Sequence, residues 1–273
     1  MNPTQRSHRA EPRAEIESAG VKSARRVLDL VEFLAARPSG ATFPTISVEL
    51  DLPKSSLHSL LATLTGRGWI YLDEATRTYR LGLRVWQVAQ NFVYLDSLAS
   101  VARKHLTAAS AELNETVQLA VLDGIENVYI AKVEADHPLR LVSRVGSRLP
   151  AYATGLGKVL LAALPPDELR QRMNGQRIER FTPHTIADLK TLEKRLAAVR
   201  VHGYGADEGE YTAGVYCLAV PVHGPDGEVV AAMSCSIPSA RITRPSEGRD
   251  RLLPSLRRHA AALSTELASV GSH

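Results

Sequence analysis

The pattern of apolar residues between positions 21 and 68 predicts three helices. In SARRVLDLVEFLAARPSG the apolar residues recur at helical spacing, and the helix ends at the Pro38–Gly40 breaker. A short helix, TISVEL, follows, and a turn then leads into PKSSLHSLLATLTGRGWI. Its apolar residues fall at i, i+3, i+4 and i+7 and form one stripe that we expect to be buried: Leu57, Leu60, Leu61 and Leu64.

A β-hairpin is predicted directly after these helices. WIYLD and TYRLG are short runs rich in β-forming residues, and Glu74–Arg77 joins them as a turn. Three helices and a hairpin within about 60 residues are typical of a winged helix-turn-helix, whose third helix fits the major groove of DNA. Arg77 lies near the tip of the predicted wing. Winged helices also bind proteins, so an interaction module is the alternative at this point.

The second half of the chain predicts an α+β domain on an antiparallel sheet. A long helix with an apolar side begins at Leu83, and the strands TVQLAVLD, NVYIAKVE and LRLVSRVG follow. Helices are predicted at about 157–164, 166–173 and 188–201, followed by the strands CLAVPVHG and EVVAAMSCSIP. A terminal helix is predicted from about Pro245 to Ala268.

Composition and charge narrow the function classes only modestly. The 273 residues are 44% hydrophobic, which suits two globular domains. We expect a soluble, cytoplasmic protein without a membrane partner, because the chain has no long apolar run and no signal-peptide pattern. Residues 1–96 contain 12 Lys and Arg against 10 Asp and Glu, and residues 97–273 contain 21 against 19. Each part has a net charge of only +2, which is compatible with a DNA partner without arguing for one.

Candidate chemistry in the second half centres on a glycine-rich turn. In YATGLGKVLLA this turn opens an apolar helix, so free N–H groups and the positive helix end suit a carboxylate. The signal is weak alone, because such glycines more often serve packing. In MSCS, Ser234 and Ser236 are predicted on one side of a strand and Cys235 on the other.

Catalysis fits the sequence poorly. Cys217 has no recognisable partner base, so we expect neither an enzyme nor a cofactor. No zinc-ligand spacing is present, and the sequence identifies no metal ligands. The acidic residues Asp207, Glu208 and Glu210 are typical of a solvated loop. The alternative is a thiol enzyme or redox sensor centred on Cys217, which requires Cys235 within disulfide reach for a disulfide switch.

Several motifs in fixed order resemble those of IclR-type bacterial transcriptional regulators. They are DLPKSSLHSLLATLTGRGWI, YRLGLRV, RLPAYATGLGKVLLAALP, FTPHTI, HGYGADEGEYTAGVYCLAVPV and GEVVAAMSCSIP. The resemblance runs from about Val21 to about Ala268. It implies a mobile tail (1–20), a winged helix-turn-helix domain (21–82), a linker helix (83–98) and a GAF-like effector-binding domain (99–273). It also implies self-association as a dimer or a dimer of dimers.

The resemblance implies two sets of site residues. A small carboxylate effector is expected to bind Gly155, Asp207, Cys217, Ser234 and Ser236, with an apolar wall at Leu156 and Val215. On the third helix we expect three residues to contact phosphates or base edges and two to contact bases: Lys54, Ser55 and Ser56, then His58 and Ser59. Arg77 is expected to make the wing contact, and Arg25 and Arg26 to supply part of the affinity.

One position departs from the family pattern. Arg commonly stands where this chain has Ser59, and Arg pairs bidentately with guanine, so no operator sequence is transferable. We therefore expect a ligand-responsive repressor of a catabolic operon that binds a palindromic operator. Effector binding is expected to change the arrangement of the DNA-binding domains through the helix around residues 83–113, and this coupling must be reciprocal.

Overall fold

The structure is a computed structural model that describes residues 21–89, 93–135 and 144–270. The chain divides into two compact units between Val93 and Tyr94. The predicted mobile tail lies outside the described residues, and so does the part of the predicted linker helix at residues 90–92. The domain boundaries at 82/83 and 98/99 stay predictions.

The first unit is a winged helix-turn-helix, as predicted. In chain order it consists of α1 (Lys22–Ala35), β1 (Ala41–Thr42), α2 (Phe43–Glu49), α3 (Lys54–Gly66), β2 (Ile70–Asp73), β3 (Thr78–Leu81) and α4 (Leu83–Ala89). The strands form an antiparallel sheet in the order β1-β3-β2. The two-residue strand β1 is too short to leave an alternating pattern in the sequence and was not predicted.

The core of the first unit lies under the apolar stripe of α3. Leu57, Leu61 and Leu64 are buried, and Leu60 is half-buried. They pack with apolar residues of α1, α2 and β2. Each fully buried leucine contributes roughly 1.5–3 kcal/mol. The predicted stripe is therefore confirmed, and it turns the opposite face of α3 towards solvent.

The second unit is built on a six-stranded antiparallel sheet with the order β6-β5-β4-β9-β8-β7. The helix α5 (Val93–Leu113) leads into it. The remaining elements are β4 (Thr116–Asp123), β5 (Glu126–Val133), β6 (Arg148–Pro150), α6 (Gly155–Ala163), α7 (Pro166–Met173), α8 (Leu189–His202), β7 (Gly205–Glu208), β8 (Val215–His223), β9 (Val229–Pro238) and α9 (Pro245–Val270). This confirms the predicted α+β architecture.

Each face of the sheet has its own apolar core. Residues of α5 and α9 pack on one face, and residues of α6, α7 and α8 pack on the other. Because side chains alternate along a strand, β9 contributes Cys235 to the first core and turns Ser234 and Ser236 to the opposite face. The predicted orientation of these three residues is confirmed.

Two strand predictions differ from the structure. The acidic run at Gly205–Glu208 forms the edge strand β7, although its residues lack the apolar alternation that predicts a strand. The predicted strand LRLVSRVG falls mainly on residues 136–143, which lie outside the described residues. Its last residues, 145 and 146, form a turn, and the strand β6 begins only at Arg148.

Candidate functional site

The polar face of α3 is exposed along its length. Lys54, Ser55, His58 and Ser59 are exposed, and Ser56 is half-buried. The helix begins directly after Pro53, whose fixed φ suits a helix start. These five predicted DNA-contacting residues therefore lie on the first two turns of one helix.

Local hydrogen bonds already orient part of this surface. The Ser59 hydroxyl donates to the carbonyl of Ser55 at 3.1 Å, and the Arg26 guanidinium donates to the Ser56 hydroxyl at 3.2 Å. Arg26 thus links α1 to α3 and brings two of the predicted contacts together. Arg25 is also half-buried. A hydroxyl that donates to its own helix still has lone pairs with which to accept a bond from a base edge.

Arg77 lies at the tip of the hairpin and is held by a neighbour. Its φ is +55°, and its guanidinium donates to Glu74 at 2.6 Å. The Asp73 carboxylate accepts the N–H groups of Ala75 and Thr76, which fixes the turn. The side chain of Arg77 remains 74% exposed, so a phosphate can compete with Glu74 for it.

In the second unit, a cavity of about 610 Å³ opens between α6, the sheet and the loop that precedes β8. All seven residues predicted to bind an effector line it: Gly155, Leu156, Asp207, Val215, Cys217, Ser234 and Ser236. The residues that sequence reasoning missed include Gln118, Tyr129, Ser147, Arg148, Leu149, Thr154, Tyr211 and Thr212. The cavity volume is within the range of small-molecule sites.

The N-terminus of α6 opens into this cavity. Thr154 caps the helix by accepting the N–H of Gly157 at 3.0 Å, and its own hydroxyl donates to Asn127 at 2.7 Å. The first N–H groups of a helix have no acceptor inside the helix. With Gly157 capped, the N–H groups of Gly155 and Leu156 remain for a ligand.

Gly155 and Gly157 of this turn are glycines for different structural reasons. A Cβ on Gly157 would lie 2.2 Å from the backbone of Ala151, so Gly157 is required by packing. A Cβ on Gly155 would lie 3.3 Å from the carbonyl oxygen of Cys217 and 3.5 Å from the backbone nitrogen of Asp207. Gly155 therefore allows the end of α6 to approach β7 and β8 closely, where the polar side chains of the cavity lie.

Strand register assembles those side chains. Cys217 is opposite Asp207 on one side and Ser236 on the other, and its thiol lies 3.0 Å from the Ser236 hydroxyl. Ser234 is 1% exposed, and its hydroxyl has no hydrogen-bond partner among the described residues. Leaving a buried hydroxyl unpaired costs about 1–3 kcal/mol. A ligand in the cavity can supply the missing partner.

Asp207 is the charged member of the predicted set. It is 4% exposed, and its carboxylate accepts the N–H of Glu210 at 2.6 Å. Burial raises the pKa of Asp207 to about 6, although the ammonium group of Lys158 nearby favours the charged form.

A buried ion pair, which the sequence did not reveal, supports the wall of the cavity. Lys158 is fully buried, donates to the carbonyl of Ala206 at 2.7 Å and pairs with Glu210. Burial lowers the pKa of Lys158, and Glu210 opposes this effect. The expectation of a solvated acidic loop was therefore wrong for Asp207 and Glu210. Among the three, only Glu208 is exposed.

The arrangement gives no support to the thiol alternative. Burial raises the pKa of Cys217 to about 12, which keeps the thiol neutral. Cys217 lies on the cavity face of the sheet and Cys235 in the core on the opposite face. A disulfide between them would require the sheet to open. The described residues contain no cluster of metal-ligating side chains, and none of their helices combines the length and apolar character needed to cross a membrane.

Comparisons with known proteins identify the class that this fold and these sites define. Residues 23–74 match the IclR helix-turn-helix domain, and residues 92–265 match the bacterial transcriptional regulator IclR C-terminal domain. The chain belongs to the IclR family of DNA-binding transcriptional regulators, a non-enzymatic family, and it contacts DNA through its helix-turn-helix unit.

Individual relatives support this assignment. The chain is 36% identical to the HTH-type transcriptional regulator XynR of Escherichia coli (strain K12), over 81% of this chain and 88% of XynR. It is 33% identical to the HTH-type transcriptional repressor AllR of Klebsiella pneumoniae, over 88% and 89%. A solved IclR homologue from Microbacterium hydrocarbonoxydans, complexed with 4-hydroxybenzoate, aligns with a TM-score of 0.79 at 26% identity, over 91% of this chain and all of that one.

Proposed function

We propose that this chain is a cytoplasmic, effector-responsive repressor of a catabolic operon. In this proposal two copies pair so that two α3 helices bind the half-sites of a palindromic operator, as a dimer or a dimer of dimers. A small carboxylate in the cavity changes the affinity for DNA. Supporting facts are the name repressor that AllR carries and the 4-hydroxybenzoate bound by the Microbacterium homologue.

The buried, unpaired hydroxyl of Ser234 carries the effector half of the proposal. It lines the same cavity as the free N–H groups at the start of α6. N–H and O–H donors that line one cavity, at the positive end of a helix dipole, suit a carboxylate. Tyr129 and Tyr211 line the same cavity, and aromatic side chains suit an aromatic or otherwise planar ligand.

A thermal-shift screen tests the effector. The purified protein is heated with pyruvate, other keto acids, benzoate and hydroxybenzoates. An acid present at 100 times its dissociation constant should add about 2.7 kcal/mol to the stability of the second unit. The variants Ser234→Ala and Asp207→Ala should lose this response.

A matched control distinguishes ligand contact from general damage. Ser255 is also buried but does not line the cavity, so Ser255→Ala should keep the response of the unsubstituted protein. If no acid shifts the unsubstituted protein, or if Ser234→Ala responds fully, the carboxylate proposal fails.

Fluorescence anisotropy tests the DNA half. Fragments that the protein selects from a random DNA pool should compete for binding far better than unselected DNA at ~150 mM salt. Equal binding to all fragments would overturn the proposed palindromic operator.

A further inference from the structure

The carboxylate of Asp207 would repel a carboxylate effector that binds in the same cavity. The side chain is 4% exposed and lines the cavity beside the α6 N-terminus. If both stay ionised, a carboxylate bound there puts a second negative charge beside a desolvated one. Two like charges at such a site are not both retained, because one of them takes a proton.

The groups around Asp207 do not neutralise it. Those that face it or share its cavity come from five elements: Lys158 of α6, Glu210 and Tyr211 of the following loop, Cys217 of β8, Tyr129 of β5 and Arg148 of β6. Lys158 and Glu210 form a buried ion pair of opposite charges, so together they add no net charge beside Asp207. Burial keeps the thiol and the phenols neutral.

The remaining cation, Arg148, is already engaged. Its guanidinium donates to Asp123 and to Glu126, each at 2.8 Å, and its side chain is 45% exposed. The carboxylate of Asp207 is therefore the uncompensated charge among the described residues at this end of the cavity. An anionic ligand meets it without a free counter-ion.

We infer that Asp207 binds the effector as a neutral carboxylic acid, so that each effector carboxylate enters together with one proton taken from solvent. In the free protein Asp207 is a carboxylate at neutral pH. In the complex one oxygen still accepts the Glu210 N–H, while the other carries the proton and donates it to the effector carboxylate. The bond that forms is a charge-assisted O–H···O⁻ hydrogen bond, and no covalent bond breaks in protein or ligand. The inference rests on the proposed carboxylate effector.

Proton linkage gives the sign of the pH dependence. Burial holds the pKa of free Asp207 at about 6, so above that pH binding must bring in a proton. The apparent dissociation constant should therefore rise about tenfold between about pH 7 and 8, and level off below about pH 6. An ordinary carboxylate site, in which Asp207 stays ionised, shows no such dependence.

Calorimetry measures the proton directly. 4-Hydroxybenzoate, and pyruvate as a second probe, are titrated into the full-length protein in phosphate and in Tris, whose ionisation enthalpies differ. The difference between the binding enthalpies measured in the two buffers should correspond to uptake of about one proton per site at about pH 7.5. Asp207→Asn should bind without proton uptake and without pH dependence, because the amide N–H donates where the acid O–H would. Glu208→Gln, an exposed neighbour on the same strand, should behave like the unsubstituted protein.

A second measurement needs no ligand. The protein is labelled with ¹³C at the aspartate carboxyl, and the signal that disappears in the Asp207→Asn variant is assigned to Asp207. This signal should titrate near pH 6 in the free protein. A titration at the ordinary pKa of about 4 would overturn the inference. Binding of either acid without proton uptake would also overturn it and leave the proposed effector class standing. If neither these acids nor any in the screen binds, both proposals fail together.

Discussion

The polar surface of α3 and the polar end of the cavity are organised in opposite ways. On α3 the hydroxyls of Ser59 and Thr63 donate to carbonyls of their own helix, and Ser56 accepts from Arg26. In the cavity the Ser234 hydroxyl is buried and has no partner among the described residues. Water satisfies an exposed surface at no cost, whereas a desolvated group is costly until a ligand arrives. The first region therefore presents solvated polar groups over an exposed surface, and the second presents a few buried donors.

The largest expected effect concerns the buried pair behind the cavity. Lys158→Met leaves Glu210 buried and unpaired and should destabilise the second unit by about 3–5 kcal/mol. Urea unfolding followed by circular dichroism measures this loss. Trp69 and Trp86 both belong to the first unit, so their fluorescence should report an unchanged transition there. The double variant Lys158→Met with Glu210→Gln should recover part of the stability. A loss below about 1 kcal/mol in the single variant would contradict the role of the pair.

One glycine in each unit gives effects of opposite sign. Gly157→Ala places a methyl group within 2.2 Å of Ala151 and should cost about 3 kcal/mol. Gly66→Ala in α3 meets nothing within 4 Å and should stabilise the first unit by up to about 1 kcal/mol. Differential scanning calorimetry of the Gly157→Ala and Gly66→Ala variants measures these two changes in stability. A neutral Gly157→Ala would show that the start of α6 can shift.

On the exposed face of α3, we expect Lys54 to contact DNA without regard to sequence and His58 to contact bases of the operator. Lys54→Ala should weaken binding to all sequences and lower the slope of log affinity against log salt by about 1. His58→Ala should cost about 1–3 kcal/mol on the operator and little on random DNA. Anisotropy titrations at several salt concentrations measure both. Lys104→Ala, an exposed lysine of the second unit, is the control. Equal losses for both variants on both DNAs would show that α3 makes no base contact.

The smallest effect on ligand affinity is expected from substitution of Cys217. Cys217→Ser should keep most of the effector affinity, because a hydroxyl can also contact Ser236 and the thiol is neutral far above physiological pH. Iodoacetamide should label native Cys217 slowly and the unfolded chain rapidly. Peroxide should leave operator binding unchanged. A peroxide response that disappears in Cys217→Ser would revive the redox sensor.

The sequence predicts the helices well, because the leucines of α3 repeat with a clear period. It predicts the seven cavity residues because the motifs that contain them resemble those of the IclR family. It misses the Lys158–Glu210 pair, since a lysine in GLGKVLLAA gives no sign of full burial, and its partner is 52 positions away. The sequence also misses β7, because the residues GADE lack the apolar alternation of a strand. Asp207 is buried through tertiary contacts that no local pattern reveals.

The alternation of β9 limits how the cavity can change. A one-residue insertion or deletion within the strand would exchange its two faces, moving Ser234 and Ser236 into the apolar core and Cys235 into the cavity. Length changes there would disrupt the core and the proposed ligand contacts together. Substitutions at wall positions such as Val215 or Leu149 change the shape of the cavity without changing the strand register. New ligand preferences are therefore accessible to this scaffold by point substitution, and engineered libraries should vary these positions while keeping strand length constant.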